Sequence, residues 1–410
     1  MIEKKIFATR RQTLVNAAAT KFFVNSKLIS RNYSDYTFST EAGNKISAMK
    51  NLKALFLLTF SATINFALAQ GDVKTPQLTL LQQDPEPVIS VRSKGAEGIR
   101  WGFEGGRVVK IGKNYHLFTS EMIDDPIWTK MKLGYWLSTD GINWTRKATL
   151  KQGSGDFTGK DERAALWSPL PVFDKANNRW NLFYVAYKSA PSLPTNFLGN
   201  HAGRVWRSVS AVAGMNGIGG PYIDKAIVLK PGKDSGPWEG LQGTDSFFPF
   251  QVGKTWYAFH GSAQTEFKPI KSLLVGMARS TTPSLAGPWE RIPALSPTKL
   301  ESHFIENPIV TPAPGGGYLC VYDSEGEDAI GWAYSADGIN WDKGNRLIIQ
   351  PNAGMWSKDI RTPLGLIYEG NNQFTLYYTG FEQSPDWPRL LSGKGKETCA
   401  IGRVTLVFKN

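Results

Sequence analysis

Cysteine and histidine are scarce in this chain of 410 residues, which holds two of the first and four of the second. Two Cys cannot build a disulfide scaffold. Cys320 and Cys399 each sit in an apolar, strand-like run, where buried free thiols are the expected state. His116, His201, His260 and His303 are scattered, so no Cys/His spacing matches a zinc site. Sustained helical periodicity is missing as well, which argues against a helical fold. The formal net charge is +12, yet no run of Lys and Arg resembles those that track a phosphate backbone. Much of the charge lies in residues 1–70, with ten Lys/Arg against three Asp/Glu, whereas the other 37 Lys/Arg face 32 Asp/Glu, a net +5. Nucleic acid is not an expected partner.

One apolar stretch stands out near the start. Lys50 and Lys53 precede residues 54–58, an Ala-Leu-Phe-Leu-Leu run, and the stretch closes on Ala67-Leu68-Ala69. A basic segment, an apolar segment and an Ala-x-Ala site make a secretory signal peptide. Ser61, Thr63 and Asn65 interrupt the apolar part, which argues against a membrane anchor, and no Cys follows the site to carry a lipid. The expectation is an upstream extension over residues 1–48, a signal peptide over 49–69, and one exported domain over 70–410. That domain would be periplasmic or secreted and free of the membrane after cleavage.

What the chain has in quantity is aromatic residues (12%), Gly and Pro, a composition that suits many short strands joined by turns. Five times an apolar run, a turn and an aromatic run follow one another, over 107–118, 170–185, 247–259, 308–322 and 363–378. This is the pattern of a β-hairpin. A third strand-like segment follows each, and two of these enter nearly identical turns, Ser138 to Trp144 and Ser335 to Trp341, with a partial third copy at Gly287-Pro288-Trp289. Repeated units at this period are blades of a β-propeller. Five copies predict an all-β, five-bladed β-propeller.

Immediately before the five apolar runs stand Glu104, Ser168, Asp245, Glu306 and Arg361. If the runs are equivalent strands, these residues converge on one site. Together with the Trp167-Ser168-Pro169, Asp245-Ser246-Phe247-Phe248 and Glu306-Asn307-Pro308 segments and the Ser-x-Asp-Gly turns, they carry a resemblance over roughly residues 95–410. The chain resembles the five-bladed propeller glycoside hydrolases, the superfamily of families 43, 32, 62, 68, 117 and 130. The resemblance implies that Glu104 is the general base, Asp245 a carboxylate that orients and modulates the acid, and Glu306 the general acid. Cleavage of a glycosidic bond needs such a pair, about 6.5–9.5 Å apart for inversion and 5–5.5 Å for retention. Two departures stand out: family 43 usually places Asp where this chain has Glu104, and Asn307 follows Glu306 in place of Gly. Glu121 and Glu162 are reserve candidates for the base.

Arg361 and Arg163 are candidates to meet an anionic group on a substrate, because a guanidinium binds carboxylate or sulfate bidentately. Trp101, Phe103 and Trp167 are candidates for the platform on which a sugar ring packs. His260 joins them as a substrate-facing candidate, but not as a metal ligand, since the ion-holding His of some relatives lies in the fifth blade. No cofactor is expected. A calcium ion in the channel stays open as an option, because hard cations need only oxygen ligands. The expected activity is exo-acting hydrolysis of an oligosaccharide, neutral, uronic or sulfated. A sugar-binding propeller without catalysis and a phosphate-dependent phosphorylase are the alternatives.

Overall fold

Regular structure begins inside what the sequence presents as an irregular lead-in. The computed structural model describes residues 75–191, 199–267, 269–325, 329–349 and 356–409. The expected extension over 1–48 and signal peptide over 49–69 lie outside the described residues. The first strand, β1 (Gln77–Gln83), pairs antiparallel with the last, so the two ends of the fold meet in one sheet.

Four strands follow as β2 (Gly102–Ile111), β3 (Asn114–Met122), β4 (Met131–Ser138) and β5 (Thr145–Gln152). The next four are β6 (Ala165–Asp174), β7 (Arg179–Ser189), β8 (Asn200–Ser210) and β9 (Tyr222–Leu229). A third set comprises β10 (Asp245–Val252), β11 (Thr255–Ala263), β12 (Leu273–Ser280) and β13 (Trp289–Arg291). A fourth comprises β14 (Ile305–Pro312), β15 (Tyr318–Ser324), β16 (Ala329–Ser335) and β17 (Asn345–Ile348). The chain ends with β18 (Asp359–Gly370), β19 (Gln373–Phe381), a five-residue helix α1 (Trp387–Leu391) and β20 (Cys399–Lys409). β6–β9, β10–β13 and β14–β17 each form a four-stranded antiparallel sheet. The other strands form one eight-stranded sheet, in which β2–β5 and β18–β19–β20–β1 meet only through a parallel pairing of Gly102 with Cys399.

The strands that open each set, with mostly apolar runs on β2, β6, β10, β14 and β18, are at least half buried, and the second strands are buried over most of their length. These five strands touch in a closed cycle, β2 to β6, β6 to β10, β10 to β14, β14 to β18 and β18 back to β2. The outermost strands alternate buried and exposed residues less regularly. β1 buries only Leu78 and leaves Leu80 and Leu81 exposed, which is why its sequence carries no strand signal.

The two repeated turns are built alike. The Asp140 carboxylate accepts from the backbone N–H groups of Ile142 and Asn143, and Ser138 Oγ accepts from Gly141. Asp337, Ile339, Asn340, Ser335 and Gly338 repeat this set bond for bond. The first turn also reaches β19, and the Trp341 ring of the second lies 5.7 Å from that of Phe259 on β11. Gly141 O accepts from the Tyr377 hydroxyl at 2.9 Å, and the Trp144 ring meets Tyr377 edge-on. Cys320 and Cys399 are buried free thiols. Among the described residues no helix is long and apolar enough to cross a membrane.

Candidate active site

Each innermost strand carries an irregularity near its start. The pairing register slips between Glu104 and Gly106, Trp167 and Leu170, Asp245 and Phe248, Glu306 and Ile309, and Ile360 and Pro363. Such bulges re-aim the side chain that precedes them. Gly105, Ser168, Ser246 and Asn307 occupy the left-handed region at φ 68°, 50°, 50° and 49°. The side chains in equivalent places are therefore Glu104, Trp167, Asp245 and Glu306, with Arg361 in the matching bulge of β18. Ser168 was expected in that set. It is instead the left-handed residue, and Trp167 holds the place.

The bulge residues bind one another across the axis. Ser168 Oγ donates to Asn307 Oδ1 at 3.1 Å, the Asn307 N–H donates to Ser246 Oγ at 3.2 Å, and the Ser168 N–H donates to Ser120 Oγ at 2.9 Å. Gly105 completes the ring without a side chain, since a Cβ there would lie 2.8 Å from Ser168 Oγ. Gly105→Ala should therefore cost about 1–3 kcal/mol through the positive φ and this clash. Its denaturant midpoint should fall, and activity should fall with it as Glu104 shifts.

Above this ring lies a cavity of about 90 Å³ into which Glu104, Asp245 and Glu306 all project, from three different strands. Arg361 and Trp167 line it as well. Glu104 is buried. Its Oε1 accepts from Arg361 Nε at 3.1 Å and Nη2 at 3.0 Å, and its Oε2 accepts from the Trp128 indole at 3.2 Å. Trp128 in turn accepts through its carbonyl from the Trp167 indole at 3.2 Å and from Asn200 Nδ2 at 3.0 Å, so two aromatic walls and the carboxylate move as a unit. Asp245 accepts from its neighbour's N–H at 2.6 Å and from Gln242 Nε2 at 3.2 Å.

The electrostatics separate the three acids. Glu306 opens only onto the narrow pocket, and burial pushes its carboxyl well above the usual range. Asp245, Asp323 and Glu104 push it further, and Arg361 opposes them. Burial also raises Asp245, against the pull of the Tyr187 hydroxyl and the Ser246 N–H. Arg361 stays charged. Burial works against it, but Glu104, Asp323, Asp359 and Glu306 lift its pKa well above the ordinary value. The arrangement thus puts an acid that holds its proton more tightly than usual in the same pocket as Glu104, which Arg361 grips through two hydrogen bonds.

Other expected residues stand elsewhere. Arg163 pairs with Asp224 at 2.9 Å and lies over the Trp206 ring, away from the cavity. Trp101 and Phe103 are core side chains, the latter edge-on to Trp136. They alternate with Glu104 along the chain, so they face the packing. His260 is fully buried against Trp238, and burial holds its pKa down to about 3, hence neutral. Glu121 accepts from Trp136 and Arg146, and Glu162 pairs with Arg204. Both reserve candidates therefore have partners outside the cavity.

No sequence pattern points to Tyr187, Asn200 or Gln242, which line the pocket. Tyr187 lies near the end of an almost wholly buried strand and reads as core. Asp323 was missed too. It stands directly opposite Glu306 in the β14–β15 register, and the only signal is an acid closing an apolar strand. Among the described residues no group of three or more His, Cys, Asp or Glu is arranged to hold a metal ion.

No family model and no curated protein matches the sequence. Solved structures do match, several of them glycoside hydrolases. A family 117 glycoside hydrolase of the marine bacterium Zobellia galactanivorans superposes with a TM-score of 0.54 at 15% identity, covering 81% of this chain and 90% of that one. An α-L-arabinofuranosidase from Podospora anserina, solved with cellotriose, gives 0.53 at 14%, covering 82% and 98%. The family 62 α-L-arabinofuranosidase catalytic domain of Coprinopsis cinerea gives 0.52 at 14%, covering 79% and 97%. At these identities the likeness is one of fold.

Proposed function

We propose that this protein is an exported glycoside hydrolase built on a five-bladed propeller, the eight-stranded sheet being two blades joined at one residue pair. The observation that carries the reading is the convergence of Glu104, Asp245 and Glu306 from three innermost strands on one aromatic-walled pocket, with the Glu306 pKa raised by burial and by Asp245. In this reading Glu306 donates its proton to the leaving oxygen. Glu104, oriented by its hydrogen bonds to Arg361 and Trp128, uses the remaining lone pair of Oε2 to take a proton from water. Asp245 orients the sugar and keeps Glu306 protonated.

The substrate we propose is a neutral oligosaccharide attacked from its end. Arg361 is engaged by Glu104 and surrounded by three further acids, so among the described residues lining the pocket no cation is left for a uronate, a sulfate or the phosphate of a phosphorylase. The cavity is small beside the several-hundred-Å³ clefts that enclose larger ligands, which suits one terminal ring.

Release of sugar from a panel of neutral, uronic and sulfated oligosaccharides, with and without phosphate, tests this directly. Phosphate-independent cleavage of neutral substrates is expected. Binding without any cleavage would favour a lectin-like role, and strict phosphate dependence would favour phosphorolysis. Trp167→Ala should raise KM roughly tenfold by removing a ring-stacking wall. N-terminal sequencing of the exported protein should start at Gln70, and a start elsewhere would sink the signal-peptide reading.

A further inference from the structure

Beneath the ring of bulge residues the channel opens again into a second cavity, of about 350 Å³, lined by β2, β14 and β18. None of the residues assigned to catalysis reaches it. Its principal charged group is Arg107, three residues beyond Glu104 on β2 and so about 10 Å further along the strand. The guanidinium crosses toward the other side of the channel. It lies 4.7 Å from the centre of the Phe248 ring on β10, and Nη1 donates to Pro171 O on β6 at 3.5 Å, the outer limit of a hydrogen bond.

What Arg107 lacks is a counter-charge. Among the described residues it makes no ion pair, whereas Lys110, the other cation lining the cavity, is paired with Glu369. Burial without an acid nearby lowers the Arg107 pKa to about 10, the opposite of what happens at Arg361. Its remaining guanidinium nitrogens bond to no described residue and are not sealed in, so they are open to the cavity. Arg107 is half-buried, with no counter-ion among the described residues, which favours an anion at its open face.

The lining itself holds no acid, and the nearby Glu369 is taken up by Lys110. β2, β14 and β18 each pair through one edge in this region, so their other edges leave backbone N–H and C=O groups unpaired, and the N–H groups are available as donors. Thr311 adds a hydroxyl to the lining. We infer that this cavity is a binding site for a tetrahedral oxyanion, held by the planar fork of Arg107 and by edge N–H groups of the innermost strands. The anion ties together strands that are not hydrogen-bonded neighbours of one another, so its effect is on stability and not on chemistry. Phosphate bound here would lie on the far side of the Ser168–Asn307 bridge from Glu306.

The test uses the whole protein and inorganic phosphate at constant ionic strength. Phosphate should raise the melting temperature of wild type by roughly 2–4 °C at saturation and leave Arg107→Met unchanged. Arg107→Lys keeps the charge but not the fork, and should shift the phosphate midpoint about tenfold higher. Selenate soaked into wild-type crystals should give an anomalous peak beside Arg107, a readout that does not depend on any variant folding. The same phosphate response in wild type and both variants, or no peak in the cavity, would overturn the site.

Discussion

Glu306→Gln is expected to lower kcat by about two to four orders of magnitude, the usual contribution of a positioned general acid. KM should change little, since the amide is nearly isosteric and keeps the pocket's shape. The same variant should behave unusually in stability. The Glu306 pKa is raised in the folded protein, chiefly by burial and then by Asp245 and Asp323. Between the ordinary glutamate value of about 4.3 and that raised value, the folded protein holds a proton that the unfolded chain has lost. Stability must therefore fall as pH rises through this window. Gln has no proton to lose, so the variant should match wild type in acid and melt at a higher temperature than wild type at pH 8. A variant that is inactive and less stable at every pH would mean that Glu306 is ionised in the fold and that the acid lies elsewhere.

Much of this site was legible because a propeller repeats itself. Glu104, Asp245, Glu306 and Arg361 each precede an apolar run, and the fold brings equivalent positions together. The limit was one of register: a bulge moves the inward-facing position by one residue, and β6 presents Trp167 in place of Ser168. Residues outside the repeat were harder to read. Tyr187, Gln242 and Asp323 reach the site from neighbouring strands and loops, where burial makes them resemble packing residues. Trp101 and Phe103 erred in the opposite sense, being close to Glu104 in sequence but turned into the core. β1 escaped notice because a peripheral strand needs little apolar alternation when β20 supplies its hydrogen bonds.

Arg361→Met should be the most destabilising single change at the site, at about 3–5 kcal/mol, because it leaves buried carboxylates without their cation. Both partners of the Arg361–Glu104 pair are nearly sealed from solvent, at 11% and 8% side-chain exposure, so screening offers little relief. The cost should be unequal between the two ends. Removing Glu104 leaves Arg361 still facing Asp323, Asp359 and Glu306, whereas removing Arg361 leaves all four acids together. Glu104→Gln should thus cost distinctly less than Arg361→Met, and the double variant should recover part of the larger loss. Denaturant midpoints of the four proteins give the coupling directly. Arg361 also pulls the Glu306 pKa down, so its removal lets that value rise further. The activity left in Arg361→Met should therefore persist to higher pH on the alkaline side than in wild type. An alkaline limb that stays put, or additive single and double variants, would show that Arg361 does not act on the acid through this cluster.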